Sequence, residues 1–138
     1  MTLDSILETI PGQHPDFTPF MPYVIGLPSG PDDISLGDPI LDAAAYIYMN
    51  NLLTAHNMVQ EHEDNPVAAY LHGIIHRREG DFSNANYWFR RAKLELNLDP
   101  EKLTNEVEKD RNVSTELNQE LLEEWKSIVR YIINHRHA

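Results

Sequence analysis

The sequence predicts an all-α fold, a compact antiparallel helical bundle, and three observations carry that prediction. Beyond residue 39 the apolar residues recur at helical spacing. Helix start signals stand at Asn65-Pro66, Asp81 and Asp99-Pro100, where a capping side chain precedes a proline or an apolar run. Seven of the nine prolines and four of the six glycines fall within residues 11–39, which leaves the rest of the chain almost free of breakers.

The elements follow in order. A short helix is expected at about residues 2–10. Residues 11–39, PGQHPDFTPFMPYVIGLPSGPDDISLGDP, cannot sustain a helix or a central strand, because proline fixes φ and removes donors. Yet Phe17, Phe20, Met21, Tyr23, Val24, Ile25 and Leu27 are too apolar for a disordered tail, so this segment is expected to wrap the helices, as a lid in one reading. A first long helix is expected over residues 41–60, with Ala45, Met49, Leu52, His56 and Val59 on one face. A second spans 66–79 behind the Asn65 cap and ends at Gly80. A third, over 82–97, follows Asp81 and aligns Ala85, Trp88, Phe89, Ala92 and Leu96. A connector helix is expected at 100–110. The last helix, 115–135, starts after Ser114 and shows the clearest amphipathic stripe, through Leu117, Leu121, Leu122, Trp125, Ile128, Val129, Ile132 and Ile133.

A length of 138 residues suits one helical domain over 1–138, with 1–39 irregular and 40–138 the bundle. No apolar run approaches the roughly 18 residues of a membrane span, and the N-terminus matches neither a secretory signal nor a mitochondrial presequence. The chain therefore reads as cytoplasmic. Without cysteine there is no disulfide, thiolate metal site or cysteine nucleophile, so a metal would need His, Asp or Glu. Residues 1–76 hold ten acids and no Lys or Arg, while residues 77–138 hold the other twelve acids and all eleven bases. The acidic half is expected to fold against Arg77, Arg78, Arg90, Arg91 and Lys93. A net charge of -11 also disfavours nucleic-acid binding, which depends on cationic neutralisation of phosphates.

Residues 66–97 resemble a single tetratricopeptide repeat, a helix-turn-helix unit of about 34 residues. Gly73 stands at the close helix crossing, Gly80 and Asp81 in the turn, and Ala85, Phe89 and Ala92 keep the family spacing. Ala69, His72 and His76 depart from the large apolar residues usual there, and Asn97 replaces the closing proline. The resemblance implies a local helical hairpin and, because the neighbouring segments do not repeat it, no superhelix. The string LHGIIHRREGDFSNANYWFRRA is also similar to a motif of bacterial and fungal proteins whose role is open, and that similarity implies no activity.

Two constellations carry candidate chemistry. His72, His76 and Glu79 are spaced four and three apart on one side of a helix. If the preceding turn is centred near residue 64, His56 and His72 lie level across an antiparallel pair. His56, His72 and His76 then converge, with Glu79 as fourth ligand or base, as a site for zinc, iron or manganese. In the packing alternative, His72 and His76 bond to backbone carbonyls or to carboxylates of the first long helix. Arg77, Arg78, Arg90 and Arg91 with Tyr87 form a candidate anion site, since guanidinium forks suit carboxylate or phosphate. Tyr70, Tyr87, Trp88, Phe89 and Trp125 read as core aromatics, and His135 with His137 as charges suited to a helix end. No serine stands in a nucleophile elbow and no glycine-rich phosphate loop occurs.

The leading functional expectation is a small protein-interaction module with a protein partner or a second copy of itself, using an apolar face of the last helix for a homodimer. The alternative is a metal-binding protein or metal-dependent enzyme built on His56, His72, His76 and Glu79. Neither reading involves a nucleic acid or a membrane.

Overall fold

The computed structural model describes residues 1–10, 34–94 and 96–135. Among them the chain is all helical: α1 (Leu3–Thr9), α2 (Pro39–Tyr48), α3 (Leu52–Gln60), α4 (Pro66–Arg78), α5 (Phe82–Ala92), α6 (Pro100–Lys109) and α7 (Thr115–His135). The wrapping role expected for the proline-rich segment concerns residues 11–33, which lie outside the described residues, as does His137.

Local chemistry starts most of these helices where the sequence signals them. Thr2 and Ser5 exchange bonds in a capping box at α1. Asp38, Asn65 and Asp99 each accept from backbone N–H groups of the turn they precede, and each is followed by a proline at the first helical position. The Ser114 hydroxyl accepts from Leu117 N–H at 3.1 Å at the head of α7. Asp81 stands at the start of α5 but makes no cap bond; its carboxylate accepts instead from the Asn84 amide at 3.3 Å.

Two expected spans are corrected. The helix foreseen over 41–60 is two helices, because Asn50 takes a left-handed conformation (φ 64°) and Asn51 turns its side chain back to cap α3. The apolar stripe stays in phase across this break, so periodicity does not reveal it. The helix foreseen to residue 97 stops at Ala92, where Lys93 takes φ 51°.

The core centres on α4, of which every residue but Pro66 is buried. It packs against α5 on one side and α2 and α3 on another. Gly73 makes the α4–α5 approach possible: a Cβ there would sit 2.5 Å from Phe89 Cε1. The pairs His76 with Asn84 and His72 with Trp88 fix an antiparallel register for this hairpin. Helix α7 lies on α1, α2 and α6, with Trp125 fully buried and its indole N–H donating to Ala44 O at 2.9 Å. Of the apolar stripe of α7, Leu117, Leu121, Trp125, Ile128, Val129 and Ile132 are buried in the chain's own core, while Leu122 and Ile133 are partly exposed. No helix among the described residues is long and apolar enough to cross a membrane.

Candidate metal centre

His56 is brought to the centre by α3, and His72 and His76 by α4. The α3–α4 register that aligns His56 with His72 is also set by Arg78, whose guanidinium donates to Asn50 Oδ1 at 2.9 Å. The three imidazoles meet. Ring centres of His56 and His72 are 4.8 Å apart, those of His56 and His76 5.6 Å, and those of His72 and His76 4.7 Å. One nitrogen from each ring lies within 4.8 Å of the other two.

The rings differ in surroundings. His72 is 3% exposed, and its face lies on the indole of Trp88, centres 4.0 Å apart and planes 14° apart. Its Nδ1 is buried without a hydrogen-bond partner. His76 is engaged at both nitrogens: Nδ1 meets the Glu79 carboxylate, and Nε2 lies 3.4 Å from the Asn84 amide nitrogen. His56 is half-buried and is the ring with access to solvent. Burial holds the His72 pKa down to about 3, with the neighbouring His76 and His56 adding to the effect. Burial also lowers that of His56, reinforced by His76 and opposed by Glu79. Both are neutral at pH 7, which is the ligating form of imidazole.

Glu79 sits on His76 and not among the three rings; His76, Glu79 and Asp81 form a second group of converging ligand atoms. The carboxylate partners foreseen from the first long helix are absent from His76, whose carboxylate comes from its own helix end.

The arginines are drawn to separate partners. Arg77 is buried, pairs with Glu124 at 2.7 Å, and donates to Thr104 Oγ1 and Pro100 O. The Tyr70 hydroxyl donates to the same carboxylate at 2.7 Å. Arg90 grips Glu101 with two bonds of 2.9 and 3.1 Å on the surface. Arg91 reaches Tyr87 Oη at 3.4 Å and Asp64 at 3.8 Å. Among the described residues, Glu124 and Glu101, the partners of Arg77 and Arg90, come from the same half as the arginines, while Asp64, which Arg91 approaches, comes from the acidic half. Nor do the two arginine pairs gather around Tyr87. Tyr87 itself, expected in the core, is 52% exposed.

Sequence reading missed Asn84 and Glu124. Asn84 follows His76 by eight residues across a tight turn, so the hairpin register that pairs 72 with 88 also pairs 76 with 84. Glu124 is 47 residues from Arg77 and has no local signature. Compared with known protein families, curated proteins and solved structures, the chain matches none.

Proposed function

We propose that this chain binds one divalent transition-metal ion through His56, His72 and His76, with Glu79 orienting His76. One observation supports this above the others: His72 Nδ1 is buried and unbonded in a ring of which one nitrogen lies within 4.8 Å of a nitrogen from each of His56 and His76. A buried orphan of this kind costs about 1–3 kcal/mol unless something satisfies it. An ion held by the three rings does so.

The donor set fits. Three imidazoles without sulfur suit zinc, with iron or manganese as the other candidates where a carboxylate joins. Ligand nitrogens on a tetrahedral zinc stand about 3.3 Å apart, given bonds of about 2.0–2.1 Å. The approach from 4.8 Å calls for rotation of the half-buried His56 side chain. Glu79 on His76 Nδ1 is the carboxylate–histidine arrangement that fixes a ligand's tautomer and leaves Nε2 for the ion. Three protein ligands leave one position for an exogenous group, as in catalytic and not in closed structural sites.

The test is metal content of protein purified without a histidine tag, beside a His72→Ala/His76→Ala variant. Thermal unfolding is followed with and without chelator. The expected result is near-stoichiometric metal in the parent chain, lost in the variant, and a chelator-sensitive Tm. Absence of metal after incubation with zinc, iron(II) and manganese(II), with no change in Tm, would refute the proposal.

A further inference from the structure

Resting on the metal-site reading above, the geometry of α5 points to the ligand class of that site: we propose that the remaining coordination position takes a small carboxylate anion carrying a flat apolar group, received along Asn84, Trp88 and Arg91.

These three residues lie four and three apart, one stripe of a helix distinct from the buried stripe Phe82, Ala85, Phe89 and Ala92. Asn84 and Trp88 touch the centre, and Arg91 lies beside Trp88. The Asn84 amide nitrogen lies 3.4 Å from His76 Nε2, the nitrogen that Glu79 leaves for an ion. When an ion takes that nitrogen, the amide is displaced from it. The Asp81 carboxylate holds the same amide at 3.3 Å, so the displaced donor stays at the rim of the centre. There it meets the oxygen that fills the remaining position.

Trp88 covers the face of His72, so the wall beside the centre is aromatic. The edge of Tyr87 extends it, 5.3 Å from Trp88 between ring centres, into solvent. This wall suits a flat apolar group. Beyond it the Arg91 guanidinium lies 5.4 Å from the Trp88 ring centre. Arg77 and Arg90 are held at 2.7 and 2.9 Å by carboxylates, but among the described residues the polar contacts of Arg91 are the 3.4 Å contact to Tyr87 and a 3.8 Å approach to Asp64, whose side chain is fully exposed. An exposed pair at that distance contributes little, so Arg91 retains donors for an incoming anion. Glu79 and Asp81 are the acids beside the centre, and both are engaged, by His76 and Asn84.

The experiment uses the full chain loaded with cobalt(II), whose visible bands report its ligands, titrated with benzoate and with acetate. The parent chain, Arg91→Ala and Asn84→Ala are compared. Benzoate is expected to shift the cobalt bands of the parent and to bind about tenfold more tightly than acetate. Arg91→Ala and Asn84→Ala are each expected to weaken benzoate about tenfold, with the cobalt affinity of Arg91→Ala within threefold of the parent. If cobalt loads but benzoate leaves its spectrum unchanged, binds no better than acetate, or binds equally in all three chains, the ligand assignment falls and the metal site stands. If cobalt does not load, both fall together.

Discussion

The imidazole of His72 lies face to face with the indole of Trp88, ring centres 4.0 Å apart. An ion taken up by His72 is therefore within a few ångströms of one of the chain's two tryptophans. One equivalent of cobalt(II) is expected to quench part of the tryptophan emission, and Trp88→Phe to remove that part. Quenching of equal size in Trp88→Phe would put the ion elsewhere.

His72 also sets stability against binding. Replacing the buried, unbonded imidazole by a phenyl ring keeps the stack on Trp88 and removes the orphan nitrogen. His72→Phe is expected to raise the stability of metal-free protein by about 1 kcal/mol while abolishing metal uptake. Denaturant unfolding in chelator, beside equilibrium dialysis with zinc, checks both halves. A destabilised variant would show that Nδ1 has a partner.

The same residue fixes the sign of a pH effect. In the unfolded chain His72 titrates near 6.5, whereas in the fold it is held down to about 3. Below pH 6.5 the unfolded state takes a proton that the folded state refuses, so stability is fully present above that value and falls as the solution is acidified. The loss attributable to His72 is about 2 kcal/mol by pH 5. His72→Phe should lack it. Parallel stability curves for parent and variant from pH 7 to pH 5, both in chelator, would contradict the assigned shift.

Much of this arrangement was legible in the sequence, and the limits have physical causes. The Asn65-Pro66 and Asp99-Pro100 starts are local chemistry, so they are realised as read. The level placement of His56 and His72 follows from a short turn between two helices, which fixes register, and Arg78 on Asn50 keeps the same register. Gly73 meets Phe89 where α4 and α5 approach closely, and a glycine within a helix is itself a local signal of such an approach. What stayed hidden was non-local or masked by phase. Glu124 reaches Arg77 from another helix, and charge totals do not say which acid a given arginine finds. The break at Asn50 keeps the apolar stripe in register, so only the Asn-Asn dipeptide marked it, as a residue type that tolerates φ above zero followed by one that caps.

The buried pair of Arg77 and Glu124 carries a prediction of its own. Both side chains are 2% exposed, and Tyr70 and Thr104 complete their bonds. Glu124→Ala leaves a buried guanidinium without its counterion and is expected to cost about 3–5 kcal/mol. Arg77→Met/Glu124→Met removes both charges and should cost less than Glu124→Ala alone. Urea unfolding of the three chains decides it, and a double variant worse than the single would mean that the pair is net stabilising.

The last prediction joins the fold to the site. Asn50 holds φ 64°, a conformation that costs a side chain with a Cβ about 1–2 kcal/mol, and its Oδ1 accepts from Arg78, two residues beyond His76. The residue thereby ties the start of α3, which carries His56, to the end of α4, which carries His72 and His76. Asn50→Gly relaxes the backbone but removes the tie; Asn50→Ala removes the tie and keeps most of the strain. Asn50→Ala is therefore expected to lose the more stability, about 1–2 kcal/mol by denaturant unfolding. Both are expected to weaken zinc binding about tenfold, because a three-imidazole site depends on His56 staying level with His72. Zinc affinity unchanged in Asn50→Gly would show that α3 keeps its register without Arg78 and that the break between α2 and α3 serves the core alone.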